Sequence, residues 1–351
     1  MRVVGLRTRR FRNLAAQKVS FSSEMNLITG ENGSGKTNFL EALNCLCGWG
    51  PFSAGRWSEL TCWEENGAFE LVGSFDGESG GTVQVLCASR PSLRLDGDRA
   101  TWTDVRLFAP CLSFLPAHMA LIEGGPVVRR RFLDVGTALL YPLYARRLSD
   151  WRRLVRHKRY LLRLGKPGDV ADRIMKPLAG WLWLKREEFV GALQRELDAQ
   201  ADLLSCPVQI GLQRGGGGAC FDPEEDFAAG LERLGPAERK SGLPLVGPHR
   251  DDLTLTVSER RAIDYFSRGQ RRRAALALIL AAGGAVKSQL GRSPILLIDE
   301  VASELDELGR QKVVQALGQS GCQVFAATAE PQSLDWPGDR FVMRQGSAEK
   351  L

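Results

Sequence analysis

Gly30-Glu-Asn-Gly-Ser-Gly-Lys-Thr37 is the stretch on which the fold turns. It fits the spacing G-x-x-x-x-G-K-[ST], which wraps a triphosphate. The glycines allow dihedrals that turn successive N–H groups inward. Gly30, Glu31, Asn32, Gly33, Ser34 and Gly35 therefore form a concave nest for anionic oxygen. A helix starting here adds the positive end of its dipole. Lys36 is placed to reach the β- and γ-phosphates, and Thr37 to set its hydroxyl on Mg²⁺. Met25-Asn-Leu-Ile-Thr29 before the loop reads as a buried strand, and Leu40, Leu43 and Cys47 after it fall at helical spacing. The expected ligands are a nucleoside triphosphate and Mg²⁺.

A second stretch completes the chemistry. Ile295-Leu-Leu-Ile-Asp-Glu300 is a four-residue apolar strand ending in two acids. In a doubly wound sheet the carboxyl ends of the strands are where ligands bind. Asp299 is expected to hold Mg²⁺, directly or through water. Glu300 is expected to act as general base on the attacking water, with Lys36 as its catalytic partner on the phosphates. A third stretch, Tyr265-Phe-Ser-Arg-Gly-Gln270, opens an Ala- and Leu-rich helix. Ser267 suits an N-cap, Gly269 lets phosphate approach the backbone, and Gln270 follows in the first turn. One chain has one triphosphate cradle, so this second anion site is expected to serve a nucleotide held by another copy.

Around these motifs the chain is ordinary in bulk. Its 351 residues are 44% hydrophobic and 25% charged, which excludes disordered and collagen-like classes and leaves room for two domains. No run of about 18 apolar residues exists, so no membrane span is expected, and the start lacks a signal-peptide core. The eight cysteines show no C-x-x-C pair and only three histidines are present, so zinc sites are not expected. Free thiols in a reducing cytoplasm are the expectation.

Residues 2–30 read as two strands. Residues 68–107 read as a small antiparallel sheet, with turns at Glu78-Ser-Gly-Gly81 and Asp96-Gly-Asp98. Residues 126–204 are mostly helical, broken at Lys166-Pro-Gly168 and Lys176-Pro177. Arg214-Gly-Gly-Gly-Gly218 reads as a flexible loop or linker. Alternation then returns, with a helix over Ala274–Ala285, the strand Ile295–Ile298, a helix over Leu308–Leu317 and a strand over Val324–Ala327. The expected architecture is an α/β P-loop ATPase head (residues 1–109 and 243–351, with a β subdomain near 67–107). A mainly helical lobe is inserted at 110–242, and no long coiled coil is expected.

Charge is concentrated in that lobe. Lys+Arg exceeds Asp+Glu by only 47 to 41 in the whole chain, yet residues 129–173 hold 13 basic against 4 acidic residues. Such a cluster is the footprint of a polyanion. Arg152, Arg156, Arg159 and Arg163 share one helix face beside an apolar stripe of Leu148, Trp151, Val155 and Leu162. They are the candidate DNA contacts, sequence-independent and salt-sensitive. Arg129-Arg-Arg131 either extends the patch or pairs with Asp134 and nearby acids.

The three motifs, in this order, resemble the ABC-type ATPase family. Ser267-Arg-Gly-Gln270 resembles its signature motif, and Ser303-Glu-Leu-Asp306 the loop after its Walker B strand. Within it the short-armed relatives of SMC proteins fit best, the RecF family above all. The segments that carry this are Phe11-Arg-Asn-Leu14, Gly35-Lys-Thr-Asn-Phe-Leu-Glu-Ala42, Phe114-Leu-Pro116, Leu121-Ile-Glu-Gly-Gly-Pro126, Arg130-Arg-Phe-Leu-Asp134, Gly247-Pro-His-Arg-Asp-Asp252 and Asp299–Asp306. The chain departs from the family pattern in four places. Arg268 and Arg271 stand in the signature, Ala117-His118 follow Pro116, no glutamine loop is visible there, and Thr328-Ala329 replace a switch histidine.

The resemblance implies an ATP-dependent homodimer, with each nucleotide between Lys36 and Thr37 of one copy and Ser267, Gly269, Gln270 and Asp306 of the other. It implies binding to duplex or gapped DNA in recombinational repair and replication-fork maintenance, recombinase loading with RecR- and RecO-type partners, and weak, DNA-stimulated ATP hydrolysis as a switch. Arg12 and Asn13 are candidates for the adenine side. A transporter ATPase subunit would share the motifs but predicts a membrane partner, not this basic cluster. A metabolic P-loop kinase would have no use for Ser267–Gln270.

Overall fold

Two antiparallel strands open the chain, β1 (Arg2–Arg9) and β2 (Gln17–Ser20), and only the third, β3 (Met25–Thr29), leads into the P-loop. The two strands expected over residues 2–30 are thus three. The division follows burial. In β1 Val3, Leu6 and Thr8 face inward and charged residues alternate outward, whereas all five residues of β3 are buried, the pattern of a strand covered on both faces. The computed structural model describes every residue except 54, 63–66, 78–79, 167, 219 and 331–333.

Helix α1 (Lys36–Leu46) follows the P-loop, then β4 (Phe69–Asp76), β5 (Gly81–Cys87), β6 (Pro91–Leu95) and β7 (Asp98–Arg99). These strands join β1 and β2 in one antiparallel sheet of order β2-β1-β4-β5-β6-β7. Phe69, Leu71, Gly73 and Phe75 of β4 alternate into the core. Asp96 and Gly97 take left-handed dihedrals in the last turn. Glu78 and Ser79 of the other expected turn lie outside the described residues. Helix α2 (Trp102–Phe108), capped reciprocally by Thr101 and Asp104, leads to β8 (Cys111–Phe114).

The chain then enters a separate unit, Met119–Ala201 with Cys206–Phe266. It holds α3 (Pro126–Leu140), α4 (Tyr144–Arg163), α5 (Asp169–Asp198), β9 (Gln209–Gln213), α6 (Pro223–Ser241), β10 (Asp252–Val257), β11 (Arg260–Arg261) and α7 (Ala262–Tyr265). Its borders differ from the expected 110 and 242. Strand β8 belongs to the first unit because it pairs with the strand that carries Asp299, and residues up to 266 belong here because β10 pairs with β9. Pro177 does not break α5. Met175, Ala179, Leu182 and Trp183 around it are buried, and their packing outweighs the roughly 3 kcal/mol penalty of an internal proline. Of the expected break at Lys166–Gly168, Pro167 lies outside the described residues.

Arg214–Gly218 is no loose linker either. The Gly215 amide donates to Asp251 Oδ1 at 2.8 Å, and the Gly218 amide to Asp226 Oδ2 at 2.8 Å. A Cβ on Gly216 would meet the Leu245 carbonyl at 2.9 Å. The glycines allow close packing here, not freedom. Asp251, fully buried, also accepts from Trp183 Nε1 at 2.8 Å and from Arg186 at 2.5 Å. Arg186 in turn reaches Asp134 (2.7 Å), Tyr144 Oη (2.8 Å) and the Pro248 carbonyl (2.6 Å). Arg129 grips Asp252 with two bonds of 2.6 and 2.8 Å, and Arg130 donates to the Asp251 carbonyl. Gly247–Asp252 is therefore the electrostatic hub of this unit. Arg129 and Arg130 serve it structurally, on Asp251 and Asp252 and not on Asp134.

The first unit resumes with α8 (Arg268–Leu290), β12 (Ile295–Ile298), α9 (Glu307–Gln319), β13 (Gln323–Thr328), β14 (Asp339–Arg344) and β15 (Ser347–Lys350). Residues 274–283 of α8 are all buried, so it is a core helix. The sheet order is β15-β14-β3-β13-β12-β8, parallel except for β15. The parallel register puts the carboxyl ends of β3, β8, β12 and β13 along one edge, where a doubly wound sheet takes its ligand. Phe21 packs edge-on against Phe325 and Phe341 at 4.9 and 5.5 Å and anchors this core.

Candidate nucleotide-binding site

The loop between β3 and α1 curls tightly because three of its glycines take positive φ, namely Gly30 (144°), Gly33 (80°) and Gly35 (110°). A Cβ on Gly30 would meet the Met343 carbonyl at 2.6 Å, so no other residue fits there. The loop is braced from outside. Asn13 donates to the Gly33 carbonyl at 3.1 Å and accepts from Asn38 at 2.7 Å. The Lys36 ammonium donates to the carbonyls of Gly30 and Glu31 at 2.8 and 2.9 Å, which holds it along the loop.

Thr37 and Asp299, 262 positions apart, meet at 2.9 Å from hydroxyl to Oδ2. The sheet brings them together, since β12 is separated from β3 only by β13. Asp299 is buried, and burial raises its carboxyl pKa above the usual aspartate range, with the Glu300 charge adding to this against the Thr37 hydrogen bond and the Lys36 charge. Its Oδ1 is buried without a hydrogen-bond partner. A buried anionic oxygen left open beside a hydroxyl is the donor set of a hard divalent cation, so these two residues fit Mg²⁺. Glu300 follows in a left-handed conformation (φ 57°) and is half-buried.

The remaining expected contacts lie on α8 and the loop before α9. Ser267 caps α8 in a reciprocal box with Gln270, whose amide also donates to Ser205 at 3.2 Å. Gly269 is open, since a Cβ there would meet only the Glu304 carbonyl at 3.5 Å. Asp306 caps α9 by accepting from the Gly309 amide at 2.8 Å. At two of the positions where the sequence departs from the ABC pattern, His118 Nδ1 accepts from the Leu115 amide at 3.1 Å, and the Thr328 hydroxyl accepts from the Glu330 amide at 3.1 Å. Arg12 is held by the buried carboxylate of Glu41 (2.7 Å). With Arg9, Arg10, Asn13, Leu14 and Asn38 it lines a cavity of about 950 Å³ beside the loop.

In the other unit Arg152, Arg156, Arg159 and Arg163 are all exposed on α4, and Leu148, Trp151 and Leu162 are buried beneath. Arg152 leans on Asp134 at 3.0 Å. Sequence reasoning missed Asn38, which braces Asn13, and Ser205, which meets Gln270. Asn38 sits in the first turn after Lys36, where any polar residue would look solvated. Ser205 has no local signal at all.

A family model described as an AAA domain matches residues 6–75. The DNA replication and repair protein RecF of Anaeromyxobacter sp. (strain K) is 33% identical over 95% of this chain and 94% of its own length. The chain belongs to the RecF family. RecF of Halalkalibacterium halodurans is 30% identical over the full length of both. Among solved structures, the recombination mediator RecF–ATPrS of the RecFOR pathway overlays with a TM-score of 0.89 at 23% identity, covering 100% of this chain and 98% of that one. RecF–ATP follows at 0.86 and 24%, over 99% and 97%. An SMC head bound to the C-terminal winged-helix domain of ScpA overlays at 0.58 and 18%, over 99% and 96%. These confirm the ATPase-head fold of the RecF and SMC type. No described helix is long and apolar enough to cross a membrane.

Proposed function

We propose that this chain is an ATP-switched DNA clamp of recombinational repair and replication-fork maintenance. ATP joins two copies, the dimer holds duplex or gapped DNA on α4, and slow hydrolysis releases it. The observation that carries this reading is the open Oδ1 of Asp299 beside Thr37 and the P-loop. Lys36 and the loop amides bind the phosphates. Thr37 and Asp299 would hold Mg²⁺, which when bound neutralises charge on the β- and γ-phosphates. Glu300 takes a proton from the attacking water. The open first turn of α8 at Ser267 and Gly269 receives the γ-phosphate bound to the partner copy.

Turnover is slow because Thr328, occupied by the Glu330 amide, stands where a histidine would sense the γ-phosphate. The exposed arginines of α4 contact DNA phosphates without reading sequence. RecR- and RecO-type mediators are the proposed protein partners, by kinship with RecFOR-pathway proteins.

Size-exclusion chromatography with light scattering, with and without ATP and duplex DNA, tests the reading. A dimer that forms and retains DNA only with ATP is expected, and Lys36→Ala should abolish both. Glu300→Gln should slow turnover by roughly 10²–10⁴-fold and trap the dimer on DNA. Replacing Arg152, Arg156, Arg159 and Arg163 by Ala should flatten the salt slope of DNA binding by about 0.9 per phosphate contact removed, while ATP-driven dimerisation survives. A chain that stays monomeric with saturating ATP at every concentration defeats the proposal.

A further inference from the structure

The second turn of α8 carries an arginine that does not face solvent. Arg272 is 3% exposed. Its guanidinium donates to the backbone carbonyl of Glu300 and lies 5.5 Å from the centre of the Phe114 ring at the end of β8. The bond goes to the peptide and not to the carboxylate, so the Glu300 side chain stays available for a water. Glu300 holds a left-handed backbone (φ 57°), and so does Glu304 (φ 62°). Such residues persist only where their surroundings over-determine them. Both are tied to α8: Glu300 through Arg272, and Glu304 through a 2.5 Å pair with Arg268. The signature arginine at 268 thus has a partner in its own chain.

We infer that Arg272 is a positioning residue for ATP hydrolysis. It fixes the Glu300 peptide in its strained conformation, and so aims the general base. It does this from the same helix whose N-terminus would meet the partner's nucleotide. The inference rests on the proposed role of Glu300, and the test separates the two.

Steady-state ATPase, fluorescent-nucleotide titration and ATP-driven dimerisation are measured on the full chain for Arg272→Gln, Arg272→Lys, Glu300→Gln and the double variant Arg272→Gln/Glu300→Gln. Arg272→Gln should lower kcat roughly 10- to 100-fold, the scale of a misplaced catalytic group, with ATP affinity and dimerisation within about threefold of the parent. Arg272→Lys should recover part of the loss, because an ammonium still donates to one carbonyl. The double variant should be no slower than Glu300→Gln alone, since both changes act through one group.

An unchanged kcat in Arg272→Gln, or a full additional loss in the double variant, overturns the inference while leaving Glu300 in place. Turnover intact in Glu300→Gln overturns the general-base reading and the inference with it. If Arg272→Gln does not fold, Arg272→Lys decides. A kcat lowered at least about threefold at unchanged ATP affinity supports the role, and a parental kcat ends it.

Discussion

Asp251 and Asp299 are both buried aspartates at the edge of a strand, and they have opposite surroundings. Asp251 has a partner on each oxygen: Trp183 Nε1 and the Gly215 amide on Oδ1, and Arg186 on Oδ2. Asp299 accepts from the Thr37 hydroxyl on Oδ2, and its Oδ1 is buried without a hydrogen-bond partner. A satisfied buried carboxylate builds structure, and an unsatisfied one is built to receive something. By that criterion Gly247–Asp252 is a scaffold, and Asp299 fits the proposed role of cation ligand.

The largest effect that could break this contrast is on stability. Asp251→Ala leaves Arg186 buried with only Asp134 as counter-charge and strands the Trp183 and Gly215 donors. It should destabilise the protein by about 3–5 kcal/mol, read as a fall in denaturant midpoint. A loss under about 1 kcal/mol would show that the hub is dispensable. Asp299→Asn should do the reverse. It removes a buried charge that lacks a full set of donors, so the midpoint should hold or rise. Mg²⁺-dependent ATP affinity should drop by about 100-fold, or roughly 2.7 kcal/mol, measured by titration with and without Mg²⁺. Equal ATP affinity in the two proteins would remove Asp299 from the site.

A smaller effect sharpens the scaffold side. His249 donates from Nε2 to the Pro244 carbonyl, and its Nδ1 is buried with no acceptor for a second proton. Burial first, then the charges of Arg250, Lys158 and Arg130, lower its pKa to about 4, against the Pro244 bond that raises it. The folded state therefore prefers neutral His249, and the unfolded chain binds the extra proton from about pH 6.5 downward. Its contribution is present above that pH and is lost as pH falls toward 4, on the order of 2–3 kcal/mol. Denaturant melts across this range should show the loss, and His249→Phe should reduce it. An identical pH slope in the variant would assign the loss to other groups.

The buried Asp299 predicts the smallest shift. Because its carboxyl protonates above the usual aspartate range, Mg²⁺–ATP binding should weaken with acidification earlier than an exposed aspartate would dictate. A titration of affinity against pH checks this.

The meeting of the P-loop with Asp299, on which the proposed nucleotide site rests, was legible because its chemistry is local. Gly30–Thr37, Ser267–Gln270 and Ile295–Glu300 each spell out a backbone shape and a charge within eight residues, and the parallel register of β3, β13 and β12 does the rest. The scaffold was less legible because its partners are distant. Nothing around Arg214–Gly218 says that Asp226 and Asp251 will bind its amides, so a close-packed glycine turn reads like a linker. The border at 266 was missed for the same reason, since it depends on β10 pairing with β9 about 40 residues earlier. Pro177 misled because the local penalty of a proline is visible in sequence and the burial of Trp183 is not.

Lys158 sits on α4 among the exposed arginines but points the other way, 1% exposed and clasped by Asp172 at 2.7 Å and Glu238 at 2.6 Å. A rod can spin about its long axis at little expense unless something keys it. This ammonium, seated between two acids from α5 and α6, acts as the key. The compass bearing of four outward guanidinium groups is thus set by one inward amine together with the buried Leu148, Trp151 and Leu162.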